Sequence, residues 1–340
     1  AYYININPSE TPARIQNADL SASPSNQTVN KYDSYAIHER ELVNLIKGGQ
    51  RWYGEKFDVA LTQNFSFNIP QLDPSSATIV KSFMACKEGG SGSSVTFDIK
   101  YNGSTIGFDS FPSSAADGYS RAGFTSIPGD FNPSSGSFTL SVSFNRVSPS
   151  DYAYLDYIEV NARSFLNFHS NGFEFRDRES VGVGNVSEFQ IGNFPSNAQV
   201  WETTDWTKPK LVNGTNNSGT YSFTVETDSL RSFMAFNSSD YKTPTFIGTV
   251  NNQNLHGLAQ ADYLIVTHPT FLSQANRLAS LHQNNGMSVH VVTTQQVYNE
   301  FSGGTQDPTA IKFFTKMFYD RAEGDPNLMP KYLCLFGDGT

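Results

Sequence analysis

The apolar pattern of the chain changes period once, near Ala261, and that change limits the possible folds more than any other feature. Upstream, apolar and polar residues alternate in short runs, which is the period of half-buried strands. Downstream, Tyr263-Leu264-Ile265-Val266 is a continuous apolar run, as in a parallel strand covered on both faces, and helical spacing follows it. The pattern predicts antiparallel β domains followed by an α/β unit. With 340 residues the chain has room for two or three domains, because single cores stop growing near ~250 residues.

Charged residues make up 16% of the chain, against about 25% in an average protein, and aromatics reach 14%. Ser, Asn, Gly and Thr take the surface positions instead, a composition typical of extracytoplasmic β proteins. The net charge of -9 and the lack of any Lys/Arg cluster exclude a nucleic-acid partner, since a phosphate backbone needs a basic patch to displace its counterions. No stretch reaches the ~18–20 apolar residues of a membrane span, and Ala1–Asn5 lacks the layout of a signal peptide and reads as a cut or a matured end. The two cysteines, Cys86 and Cys334, read as separate thiols. Cys334, inside the apolar run Tyr332–Phe336, is expected to be buried and inert.

Residues 1–56 read as an extended, irregular segment with one short helix, His38–Lys47, which places Leu42, Leu45 and Ile46 on one face and stops at Gly48-Gly49. Gly49–Glu55 (GQRWYGE) reads as a Gly-hinged turn with aromatics packed under it. Residues 57–163 form the first β domain, a sandwich of short alternating runs. Asn102-Gly103 between two of these runs signals a type I′ hairpin, because both central positions need positive φ. The closing run Tyr154–Val160 is similar to the last strand of galactose-binding-type jelly rolls. Residues 164–250 form a second small β domain, in which Trp201 and Trp206 line a groove or fill the core.

Residues 251–340 carry the α/β unit. Leu272, Ala275, Ala279 and His282 stand at helical spacing, Gly286 ends that helix, and Ser288–Val292 supplies a second strand by a right-handed crossover. Asp307-Pro308 opens another helix, with Ala310, Ile311, Phe314, Met317 and Phe318 on one face, before a third strand at Lys331–Phe336. The strands leave His268, Thr293-Thr294 and Asp338 near their carboxyl ends, where open α/β sheets bind ligands. His268 and Asp338 are therefore the candidate substrate-binding residues. His268 is a base, a ligand or a satisfied turn residue, and Asp338 faces substrate or cation or makes an Asx-turn. Gly337-Asp338-Gly339 lacks the length, Lys and helix of a phosphate loop, so no nucleotide cofactor is expected. No metal site or other cofactor is read either.

Asp262–Pro269 (DYLIVTHP), Val291–Phe301 (VVTTQQVYNEF), Gly304–Ala310 (GTQDPTA) and Tyr332–Thr340 (YLCLFGDGT), in this order and spacing, resemble the gingipain-type cysteine peptidases. Gly49–Glu55 and Val200–Asp205 (VWETTD) are similar to the sortase branch of that family, which serves the type IX secretion system of Bacteroidetes. The resemblance implies jelly-roll-like β-sandwich domains followed by the first part of a caspase-like parallel-sheet peptidase domain. It implies a cell-surface enzyme at the outer membrane that removes C-terminal secretion signals from cargo and attaches the cargo to lipopolysaccharide. Its implied partners are that cargo, outer-membrane secretion components and lipopolysaccharide. The family's catalytic His lies in a Gly-His-Gly segment and its Cys in a later one. Neither motif occurs here, so the resemblance places both beyond residue 340, leaves Cys334 outside the nucleophile's role and implies that this chain alone is inactive. Two other readings stand beside it: a β-domain module that recognises cargo or an outer-membrane partner, and a carbohydrate-binding module.

Overall fold

The structure, a computed structural model, describes residues 3, 11, 14–45, 51–87, 94–111, 123–169 and 172–337. It divides into two units, one of residues 13–243 and the other of residues 1–12 with 244–340.

Within the larger unit, alternation builds every strand. In chain order the strands are β1 (Gln16–Asn17), β2 (Gln27–Val29), β3 (Lys31–Glu39), β4 (Lys56–Phe57), β5 (Thr62–Asn68) and β6 (Thr78–Lys87). They continue with β7 (Val95–Tyr101), β8 (Ser104–Phe111), β9 (Gly123–Phe131), β10 (Ser137–Asn145) and β11 (Tyr152–Phe165). A nine-stranded sheet in the order β3-β11-β6-β9-β8-β7-β10-β5, with β4 on β11, folds over a single core that includes Phe57, Met84, Phe97, Leu140, Phe144, Leu155 and Ile158. The fold-over falls between β8 and β9, which share one paired position, Gly107 with Gly129. A Cβ on Gly129 would lie 2.3 Å from the Ile106 carbonyl oxygen, so the corner needs a residue without a side chain. The hairpin read at Asn102-Gly103 is present, with φ of 47° and 81° at the two residues.

A second core is built from β12 (Phe173–Arg176), β13 (Val186–Ile191), β14 (Ala198–Glu202), β15 (Lys210–Val212), β16 (Thr215–Asn217), β17 (Thr220–Glu226) and β18 (Ser232–Asn237). They form two sheets, β1-β15-β14-β18-β12 and β16-β17-β13-β2. Phe175, Phe189, Phe223 and Phe233 pack in the core they share, with ring centroids 5.0–6.2 Å apart. Trp201 meets Phe236 edge-on at 5.1 Å, whereas Trp206 is 82% exposed, so the two tryptophans do not form one groove.

The structure corrects the N-terminal reading. No helix forms over 38–45: Lys31–Glu39 is a strand, and Val43 bridges to Tyr53. Tyr32 and Ser34 alternate inward with Tyr35 and Ile37 outward, and long pairing with β11 outweighs a short helical spacing whose end, Gly48-Gly49, lies outside the described residues. The same stretch supplies edge strands to the second core, β1 beside β15 and β2 beside β13, both parallel.

The smaller unit has the α/β order β19 (Tyr263–Thr267), α1 (Leu272–Asn284), β20 (Val289–Thr293), α2 (Thr294–Phe301), α3 (Pro308–Arg321) and β21 (Tyr332–Phe336). Its three strands are all parallel, in the order β20-β19-β21. Ile265 packs with Ala275 and Ala279 of α1, while Leu264 and Val266 pack with Phe314 and Phe318 of α3, so the helices cover opposite faces. Asp262 ties the amino ends together. Its carboxylate accepts from Lys331 Nζ at 2.7 Å and from Ser288 Oγ at 2.7 Å, and the Lys331 ammonium above all holds it well below the usual carboxylate range.

Cys334 departs from expectation. It is half-buried rather than enclosed, because among the described residues β21 is at the edge of its sheet, with Leu333 and Leu335 44% and 63% exposed. An apolar run signals a strand without saying which of its faces is covered.

Candidate functional site

The crossover from β19 runs to β20 on one side, and the next, from β20 by way of α2 and α3, passes back beyond β19 to β21 on the other. The chain therefore reverses between β19 and β21, and the crevice outside the carboxyl ends of two such strands is where open α/β sheets hold ligands. Thr267 and His268 come to this crevice from β19, and Phe336 and Gly337 from β21. Thr267 is fully buried, and its hydroxyl lies 3.1 Å from the Phe336 carbonyl oxygen and 3.2 Å from that of His268. It closes the ladder where backbone pairing ends, and so sets the spacing of the two loops that leave it.

His268 is exposed and has a local structural task. Its Nδ1 accepts from the Thr270 amide at 3.3 Å, which caps the 3-10 turn Pro269–Phe271 that leads into α1. Pro269 supplies the fixed φ of the first helical position. The imidazole ring lies 6.3 Å from the Phe271 ring, edge to face. Asp338, the other candidate, lies outside the described residues.

Thr293 and Thr294 stand apart from this crevice, because β20 flanks β19 on the side away from β21. Thr293 forms a capping box with Gln296: its hydroxyl accepts from the Gln296 amide at 3.3 Å, and the Gln296 side chain accepts from the Thr293 amide at 2.9 Å. Cys334 pairs with Ile265 inside the ladder, short of the strand's end. The described part of the crevice thus presents one exposed imidazole beside a buried threonine that ties the two strand ends, and these make no nucleophile–base pair. Among the described residues no group of three His, Cys, Asp or Glu side chains is placed to hold a metal ion. Thr267 was not singled out from the sequence. Its place at the end of an apolar run, immediately before His268, was the available signal.

Residues 256–340 match Peptidase family C25. The chain is similar to dimeric latent PorU from Porphyromonas gingivalis, with 28% identity and a TM-score of 0.81 over 96% of this chain. It spans 32% of the length of that PorU chain. Part of the chain (37%) aligns with 96% of a CBM36-1 domain of a xylanase from the hindgut metagenome of Trinervitermes trinervoides, at 14% identity and a TM-score of 0.24, too low to bear on fold or function. No curated protein sequence matches. The gingipain resemblance read from the DYLIVTHP and YLCLFGDGT segments is borne out: residues 256–340 match Peptidase family C25, and nearly all of this chain shares the fold of the matched part of PorU.

Proposed function

We propose that this chain is part of a secreted, cell-surface cysteine endopeptidase of the sortase kind, which removes C-terminal signals from type IX cargo and attaches the cargo to lipopolysaccharide. The observation that supports it most is the shared fold with PorU over 96% of the chain, with a C25 segment at residues 256–340. The catalytic His and Cys are supplied from beyond residue 340. In the complete site a thiolate attacks the scissile carbonyl, the imidazole moves the proton, and backbone donors hold the oxyanion. A surface amine or water then resolves the acyl-enzyme. His268, at this crevice, and Asp338 are the proposed substrate-binding residues, and Thr267 ties the ends of β19 and β21 together.

The test compares this 340-residue chain with a longer form that carries the downstream Cys, both incubated with a cargo protein bearing its C-terminal signal. Cleavage is expected only from the longer form and is lost when that Cys becomes Ala. Cleavage by the 340-residue chain itself, or full activity of the Cys→Ala form, would overturn the reading.

The β unit has a further part in this reading as a recognition module. What favours it is a group of exposed aromatic and aliphatic side chains on the outer face of the nine-stranded sheet: Tyr35 (52%), Ile37 (45%), Ile79 (55%) and Phe124 (49%).

A further inference from the structure

Arg51, from the GQRWYGE segment, lies against that same outer face. Strand register places Glu39, Tyr157, Phe83 and Ser126 in one row across β3, β11, β6 and β9. The rings of Phe124, Phe83 and Tyr157 follow one another at 6.0 Å between centroids, with interplanar angles of 23° and 13°. The Arg51 guanidinium carbon lies 4.8 Å from the Phe83 centroid and 4.8 Å from that of Phe124. Since those two centroids are 6.0 Å apart, the cation sits above the seam of two tiles laid side by side and is not wedged between stacked rings. Asp156 stands 3.9 Å from Arg51 Nε as its counter-charge.

Phe83 and Phe124 are thus covered by a cation of the chain's own, while among the described residues no such cation covers Tyr157, the third ring of the row. Carboxylates outnumber cations around Tyr157: the cations are Arg51, paired with Asp156, and Lys81, which faces Glu159 from β6. Glu39 is its partner on β3, Glu159 follows it on the same face of β11, and Asp156 precedes it at the bulge. The fields of Glu39 and Glu41 reach Asp156, and those of Glu39 and Glu159 reach Tyr35. An aromatic face within an acidic rim attracts a cation both by the ring quadrupole and by charge. The neighbouring Tyr35 and Ile37 offer apolar surface for the stem of a long side chain.

We propose that this face is a recognition site for a basic polypeptide segment, which seats an arginine or lysine side chain on the Tyr157 ring beside the resident Arg51. The site stands independently of the peptidase reading, because every group in it belongs to the β unit.

The test uses the 340-residue chain and a dye-labelled blocked peptide of alternating glycine and arginine, read by fluorescence polarisation, with the citrulline version of the same peptide as its neutral match. The arginine peptide is expected to bind, to weaken as salt is raised, and to outbind the citrulline peptide by about tenfold. Tyr157→Leu should weaken arginine-peptide binding by a similar factor, and Tyr157→Phe, which keeps the ring, should preserve it. Glu39→Gln combined with Glu159→Gln should weaken it while leaving the fold intact by circular dichroism. Equal binding of the citrulline peptide would overturn the proposal, as would competition by a neutral oligosaccharide or an affinity unmoved in the double glutamine variant. Absence of binding to the native chain would overturn it as well.

Discussion

At the scale of single residues, Asp73 shows how one carboxylate can organise a turn. It accepts from Lys31 Nζ at 2.7 Å, Ser75 Oγ at 2.6 Å, the Ser75 amide at 3.0 Å and Ser76 Oγ at 2.7 Å. These donors, Lys31 first, hold its carboxyl well below the usual carboxylate range. A depressed native pKa means that the stabilisation is complete above the unfolded value of about 4 and is lost as pH falls towards the native one. Asp73→Asn is therefore expected to cost about 1–3 kcal/mol at neutral pH, measured by urea unfolding, with a gap to the native protein that narrows below about pH 4. Thiol access separates the two cysteines. Cys86 is 2% exposed and Cys334 half-buried, so a small alkylating agent applied to native protein should modify Cys334 well before Cys86, as read by peptide mass mapping. The sequence suggested the reverse, since Cys86 stands beside the Gly/Ser-rich run 89–94 and Cys334 inside an apolar run.

At the scale of elements, the corner between β8 and β9 rests on Gly129, whose missing side chain lets the two backbones meet. Gly129→Ala should destabilise by about 1–3 kcal/mol, seen as a lower thermal midpoint, whereas Gly103→Asn in the adjoining hairpin should be far milder. Asn tolerates positive φ, and nothing lies within 4 Å of a Cβ built on Gly103. Helix α2 holds the segment that leads into the α/β unit through Glu300, which accepts from the Leu255 amide at 2.7 Å, Gln253 Nε2 at 2.9 Å and the His256 amide at 3.2 Å. Burial pushes the Glu300 carboxyl up, but these donors outweigh it and leave it lowered, so the grip is full above the ordinary Glu value of about 4.3 and weakens as pH falls below it. Glu300→Ala should speed hydrogen exchange at the Leu255 and His256 amides while exchange in the β unit stays unchanged. The α/β elements were readable because apolar spacing agreed with the N-cap at Asp307-Pro308 and with the glycine stop at Gly286 after Leu272–His282. The misread helix at His38–Lys47 had spacing and a Gly-Gly stop but no N-cap residue, and its first residues belong to the alternating strand β3.

At the scale of the whole molecule, the two units are joined by a stretch without regular structure from Tyr241 to Asn254, in which Phe246 and Ile247 are 80% and 92% exposed. Limited proteolysis of the native chain should cut first within 241–252 and release two protected parts; initial cutting inside β6, β11 or β19 would contradict that division. Local pattern was enough to determine the β-then-α/β order, the Asn102-Gly103 hairpin, the parallel strands and the family resemblance, since each depends on periodicity, turn chemistry or short motifs within a few residues. Tertiary structure alone decided that residues 14–39 supply strands to three sheets and that the chain reverses between β19 and β21. It alone brought Arg51 over Phe83 and Phe124. These outcomes rest on pairing between segments far apart in the chain, and the energy of such pairing appears only once the partner strand is in place.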